Sequence, residues 1–425
     1  MKKFTTFLTA VCMVLISATL TGCSETPANY TIVRFENGAV TYENSGKGTD
    51  EKTVYELGSN GKTVAAYTAL AMVDDGILDL DEKIYPYLDK ELITKDERMK
   101  DITLRELLCH TAGFSPSYEL GTDKKIYTDP GEKFRYSGVG YIYLQSVIEN
   151  SGKMTLDQAA SKYVFEPLGM KNSTFESAKT VTPHMNLSSS VLYSLLIFVL
   201  SFILLAVISL IVGKITKFRF YKYDIAFLIS FLVAGAINSV FLLFFFVSKV
   251  FVLFLICFAI TGIILFLTKK RPVLYYSVTP AVLLAVMILG FVIPVTIPVT
   301  NDLLPVKANC AYTFRSTGED MALFCRELME KSENRNGSLG EMFEPAVEID
   351  DKNAWGLGIA LEYTSAADSM YWHSGINPGF QSLYVLYPEK DRFIAVMTNS
   401  DRGLDFSKEK ARIFLGTDGV WDIKR

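Results

Sequence analysis

Four long uncharged stretches, 187–213, 225–248, 250–268 and 272–301, occupy the middle of this 425-residue chain and constrain its folding more than any other feature. Their lengths are 27, 24, 19 and 30 residues. A helix crosses a hydrocarbon core with about 20 mostly apolar residues, so each stretch is long enough to span. Of the chain's 42 basic and 46 acidic side chains, residues 187–301 hold only 9, and the remainder has the charge density of an ordinary globular domain. The overall hydrophobic share of 50% is therefore an average over two solvents.

Charge placement orients the block. Lys214, Lys217, Arg219 and Lys222 follow the first stretch, and Lys269, Lys270 and Arg271 follow the third, so both connections are expected on the cytoplasmic side. Lys249 alone separates the second and third stretches, as in a tight external turn. The N-terminus agrees: Lys2 and Lys3 precede an uncharged, largely apolar run, 4–20, which reads as an export signal. The signal ends in Leu20-Thr21-Gly22-Cys23, which resembles the lipobox of bacterial lipoproteins and implies lipidation at Cys23, with an uncleaved anchor helix as the alternative. With an even number of crossings, residues 24–186 and 302–425 are expected on the same extracytoplasmic face. The resulting division is 1–23 signal, 24–186 first exported part, 187–301 membrane block (spans near 190–212, 225–247, 250–268 and 275–298) and 302–425 second exported part. The expected location is a bacterial cell membrane, multi-pass.

Other classes are disfavoured. The exported parts together carry a net charge of −13, the wrong sign for a nucleic-acid binder. Transport needs ionisable residues inside the spans, and all four stretches lack them. Three scattered histidines with no paired spacing give no zinc site, and no cofactor is expected. Cys109, Cys310 and Cys325 form no CxxC pair; they read as single buried thiols, with a Cys310–Cys325 bridge as the alternative.

The first exported part reads as strands then helices. Runs at 30–35 and 39–42 flank Glu36-Asn37-Gly38, a hairpin signal. Helical patterns cover about 59–76 and 103–108. The second part gives a helix over 317–330 and strands at 355–363, 370–373, 380–387 and 393–399. Pro388-Glu389-Lys390-Asp391 is a turn between the last two.

Ser59-Asn60-Gly61-Lys62 opens the first helix. A lysine three residues after a serine stacks one turn above it, so the amine lies beside the hydroxyl and can exchange its proton. The helix start also offers the Ser59 backbone N–H to a developing oxyanion. Alone the pattern is weak, because Ser407-Lys408-Glu409-Lys410 repeats it on an apparent surface helix. Gly61-Lys62-Thr63 imitates the end of a phosphate-binding loop, but Glu56 stands where that loop needs glycine.

Further motifs follow in order: Tyr136-Ser137-Gly138, then His373-Ser374-Gly375 leading into Asn377-Pro378-Gly379-Phe380. Leu107-Leu108-Cys109-His110-Thr111-Ala112-Gly113, Pro167-Leu168-Gly169-Met170 with Thr174, and Gly318-Glu319-Asp320-Met321 lie between or beside them. In this order the chain resembles the serine hydrolases of the class C β-lactamase and penicillin-binding-protein superfamily. Their signatures are Ser-x-x-Lys, Tyr-x-Asn, and a Lys-Thr-Gly or His-x-Gly strand. The resemblance implies a β-lactamase/transpeptidase-like α+β fold, an antiparallel sheet with helices and a helical subdomain, here with four inserted transmembrane helices. It implies Ser59 as nucleophile, Lys62 as its proton partner, and Tyr136 as shuttle to the leaving group and activator of the deacylating water. His373, Ser374 and Gly375 would form the substrate-binding strand, and Ile376 would supply the second oxyanion N–H. His110 reads as a loop histidine that hydrogen-bonds backbone.

Two departures stand out. Gly138 replaces the family's asparagine, whose amide contacts substrate and lysine. Cys23 leaves no room for the usual N-terminal helix, so a short helix at 406–415 would have to cover that sheet face. The implied function is acyl transfer from an amide or ester: a D-alanyl peptide of peptidoglycan, a β-lactam or a small ester. The alternative is a catalytically weak sensor or scaffold for a cell-wall ligand. The expected partners are that small molecule or wall-derived substrate and membrane lipid.

Overall fold

Segments from both ends of the chain enter one sheet. The computed structural model describes residues 27, 29–115, 125–181, 307–364 and 368–423. Strands β1 (Tyr30–Glu36), β2 (Ala39–Ser45) and β3 (Tyr55–Gly58) come from the first flank of the uncharged stretches. The second supplies β4 (Phe314–Ser316), β5 (Val347–Asp350), β6 (Asn353–Trp355), β7 (Ala360–Tyr363), β8 (Ser369–Asn377), β9 (Phe380–Tyr387) and β10 (Arg392–Thr398). The large sheet is antiparallel in the order β2-β1-β10-β9-β8-β7-β6-β5. Its seam between the two parts is β1 on β10, from Tyr30↔Thr398 to Phe35↔Phe393. The small sheet, β3 on β4, likewise takes one strand from each part. Residues 24–185 and 299–425 thus form one compact unit.

Local chemistry explains the turns. Asn37 (φ 53°) and Gly38 (φ 76°) both adopt left-handed backbone, as the hairpin between β1 and β2 requires. The stretch 355–363, expected as one strand, is instead the end of β6, a turn, and β7. Gly358 sits in that turn at φ 91°, and a Cβ there would stand 2.2 Å from Ala66 Cβ. The chain reverses where only glycine lets a helix approach.

That helix is α1 (Gly61–Asp74), followed by α2 (Leu104–Leu108), α3 (Gly138–Gly152), α4 (Gly318–Glu333) and α5 (Gly403–Leu415). The five-residue α2 is closed by a capping box between Thr103 and Glu106. Residues 61–70 of α1 are all buried, so the helix is core on every side. Thr63 Oγ1 donates to the Gly358 carbonyl (3.0 Å) and bonds Tyr384 of β9 (2.7 Å).

Strand alternation assigns the layers. Gly318 of α4 lies against Thr31 and Val33, and Arg326 sits 5.6 Å over the Phe35 ring. On the opposite face, Phe406 of α5 packs 4.9 Å from Tyr30, and Phe414 lies under Arg34 and Arg392. The C-terminal helix therefore covers the face expected of it. The signal with Cys23 and the four uncharged stretches lie outside the described residues. Among the described residues no helix is long and apolar enough to cross a membrane. Cys109, Cys310 and Cys325 are free, buried thiols.

Candidate active site

Ser59 stands in the tight turn between β3 and α1. Gly58 before it has φ 52°, a conformation costly for any residue with a Cβ. Asn60 ties the turn to the main sheet: its Nδ2 donates to Ser382 Oγ (2.9 Å), and that hydroxyl donates to the Leu57 carbonyl (3.1 Å). The turn is consequently clamped on both sides of Ser59.

Lys62 is completely buried, and its Nζ donates to Ser59 Oγ at 2.9 Å and to the Ala311 carbonyl at 2.6 Å. A buried amine needs such partners, because desolvating it without them would cost several kcal/mol. The Tyr136 and Tyr141 rings lie 5.2 and 5.7 Å from Nζ. Ala311 belongs to a turn that follows the uncharged stretches in sequence and is held by helix α3. Gln145 accepts from the Cys310 N–H (3.2 Å) and donates to the Ala308 carbonyl (3.1 Å), and Cys310 Sγ donates to the Tyr141 carbonyl. Burial pushes the Cys310 thiol up to about 12, so it stays protonated beside the amine. Burial likewise holds the Tyr141 hydroxyl well above its usual range.

Tyr136 comes directly before Ser137, which caps α3 by accepting from the Gly140 N–H (2.9 Å). The Ser137 N–H donates to His110 Nδ1 (3.1 Å), which puts the neutral ring's proton on Nε2. His110 thus hydrogen-bonds backbone as expected, yet its ring also lies 4.4 Å from that of Tyr136. Gly138 is the first residue of α3 and offers no side chain to the cavity.

Strand β8 closes the site from the flank that follows the uncharged stretches. The His373 ring lies 6.2 Å from Tyr136, and its Nδ1 donates to the Ser374 carbonyl (2.9 Å). Gly375 lies directly on β3, since a Cβ there would meet the Leu57 carbonyl oxygen at 1.8 Å. The amide nitrogen of Ile376 is 3.0 Å from where a Gly58 Cβ would stand. This approach brings the Ile376 N–H beside the turn that carries Ser59.

Sequence reading missed three participants. The Ala311 carbonyl is a backbone atom and leaves no side-chain signal. Trp355, at the end of β6, packs 5.6 Å from Tyr136, 5.5 Å from His373 and 5.0 Å from His110. A tryptophan heading a strand reads as core until the fold brings those rings to it. Ser382, opposite Gly375 in the β8–β9 ladder, was one polar residue in an apolar run. Among the described residues, no group of three or more His, Cys, Asp or Glu is arranged to hold a metal ion.

An antiparallel sheet between helices, with a serine–lysine pair opening a buried helix and a glycine strand beside it, defines the β-lactamase/transpeptidase-like class of serine hydrolases. Residues 30–184 and 297–417 match the Beta-lactamase family, and the chain belongs to it. The interval between the matched parts holds nearly all of the uncharged block. Protein flp of Staphylococcus aureus is 26% identical over 149 residues, 31% of this chain and 30% of that protein. A "Putative D-alanyl-D-alanine carboxypeptidase" of Salmonella paratyphi B is 30% identical over 147 residues, 29% of this chain and 34% of that protein. The chain spans about a third of the length of the curated relatives it matches. In solved structures the same fold occurs in an octameric penicillin-binding protein homologue from Pyrococcus abyssi (15% identity, TM-score 0.56, 97% of this chain and 78% of that one). A class C β-lactamase mutant also shares it (13% identity, TM-score 0.52, 92% of each chain).

Proposed function

We propose that this chain is a membrane-bound, extracytoplasmic serine hydrolase acting on an amide or ester through an acyl-enzyme on Ser59. The observation that carries the reading is the buried Lys62 Nζ, 2.9 Å from Ser59 Oγ, anchored on the Ala311 carbonyl and facing the Tyr136 ring. Ser59 Oγ attacks the carbonyl carbon as Lys62 takes its proton. Tyr136 passes a proton to the departing amine or alcohol, and water then cleaves the acyl ester with Tyr136 assisting. The Ser59 and Ile376 N–H groups receive the oxyanion, and His373 and Ser374 line the acyl side. The name of the Salmonella relative favours a D-alanyl peptide among the possible substrates. The membrane setting rests on the charge pattern around the four stretches, and anchoring by lipid on Cys23.

Labelling membranes with a fluorescent penicillin or fluorophosphonate probe tests this reading. Wild type should carry an adduct that Ser59→Ala abolishes; no adduct, or one insensitive to that change, overturns it.

Gly138 motivates a second reading, a wall-ligand sensor with slow turnover, because the family's asparagine amide is missing where substrate and lysine meet. Ligand binding that persists while turnover stays undetectable identifies the sensor.

A further inference from the structure

The Ile376 side chain is 44% exposed, so it does not fix the position of its own amide. The neighbours do. Gly375 rests on the Leu57 carbonyl, and Asn377, only 8% exposed, reaches beneath the nucleophile turn. Asn377 Nδ2 donates to Glu56 Oε2 (2.9 Å) and to the Tyr312 carbonyl (3.0 Å). Both partners are acceptors, which fixes the amide orientation, and the Asn377 oxygen faces Gly58, 3.1 Å from where a Cβ would stand.

Glu56, three residues before Ser59, accepts through its other oxygen from Arg315 Nη2 (2.9 Å). The Arg315 side chain is 2% exposed, and its Nη1 donates to the Thr313 carbonyl (3.0 Å) and the Glu176 carbonyl (2.7 Å). The Glu56 carboxylate therefore joins β3, β4 and the end of β8, and Asn377 adds the turn carrying Ala311. A buried pair of this kind is a poor source of stability compared with apolar packing, but it fixes register well. Two of the joined pieces carry the oxyanion donors: β3 leads into Ser59, and β8 carries Ile376.

We propose that Glu56 and Asn377 are positioning residues that set the separation of the Ser59 and Ile376 amides. The proposal rests on the acyl-enzyme reading above. It makes the ion-pair network a determinant of rate rather than of substrate affinity.

Matched oxoester and thionoester substrates with one acyl group provide the test, because a thiocarbonyl sulfur is larger and accepts hydrogen bonds poorly. With the full chain in detergent, Asn377→Ala should slow oxoester acylation about 100-fold with KM within about threefold of wild type. The oxoester-to-thionoester rate ratio should fall by a similar factor. Asn377→Asp sets two carboxylates together and should be slow as well. Adding Glu56→Gln restores the donor–acceptor pair between these two side chains, although not the bond to the Tyr312 carbonyl, and the double variant should regain part of the loss, about tenfold, an outcome that holds even where Asn377→Ala does not fold. An unchanged rate ratio, equal losses on both substrates, or no rescue overturns the proposal. Wild type that reacts with neither substrate overturns the hydrolase reading, and this inference with it.

Discussion

Gly375→Ala isolates the contact that closes the site. The added Cβ would stand 1.8 Å from the Leu57 carbonyl oxygen. Close C···O contacts need about 3.3 Å, so the strands must part by roughly 1.5 Å. Leu57 cannot yield easily, because its carbonyl accepts from Ser382 Oγ (3.1 Å) and from the Asn60 N–H (3.2 Å). The displacement falls on β8 and carries the Ile376 N–H with it. An oxyanion donor works at about 2.7–3.1 Å, so a shift of this size removes one donor, and mutational precedent puts that loss at about 10²–10³ in rate, roughly 2.7–4 kcal/mol. Overpacking adds about 1–3 kcal/mol of lost stability. Acylation rates by a fluorescent probe, normalised to folded protein, separate the two effects. A folded variant that acylates within about threefold of wild type would refute the contact-based account of the oxyanion site.

Lys62→Met keeps length and burial but removes the amine, so acylation should fall by about 10²–10⁴, with the fold intact by circular dichroism. Burial raises the thiol of Cys310 from 9.0 to about 12 and the phenol of Tyr55 from 10.0 to about 12. Below about pH 9 both folded and unfolded chains keep these protons; above it only the unfolded chain releases them. Stability should therefore decline between about pH 9 and pH 12, and denaturant midpoints for Cys310→Ser should decline less steeply over the same range. Thr103→Ala removes the capping box of α2 and should lower stability by about 0.5–2 kcal/mol, read as a shift in the thermal midpoint.

Several elements were legible because short-range chemistry decides them. Asn37-Gly38 specifies its turn through left-handed backbone, and Ser59-x-x-Lys62 brings its two side chains together through the tight turn that opens α1, where the Lys62 N–H donates to the Ser59 carbonyl (3.0 Å). Helix α3 was not legible. Its sequence begins Gly138-Val139-Gly140-Tyr141-Ile142-Tyr143, a composition closer to a strand than to a helix, and its burial on nearly all sides erases the amphipathic period. The strand expected over 355–363 failed for a related reason: the fold puts α1 against Gly358, and that packing, rather than propensity, reverses the chain. Tyr136 and His373 could be named only through motif order, since one aromatic and one histidine carry no periodic signal.

What the sequence determined by itself was composition and local geometry: an uncharged block with basic connections, a serine and lysine three residues apart, and a hairpin at Asn37-Gly38. These depend on residues within a few positions of one another. The tertiary structure alone decided which distant groups complete the site. The Ala311 carbonyl on Lys62, Gly375 on Leu57, and Glu56 between Arg315 and Asn377 join residues 249, 318, 259 and 321 positions apart. Contacts at such separations are fixed by how β1 meets β10 and β3 meets β4, because only the assembled sheets make the close approach of backbone to backbone that glycine, carbonyl and buried amine require.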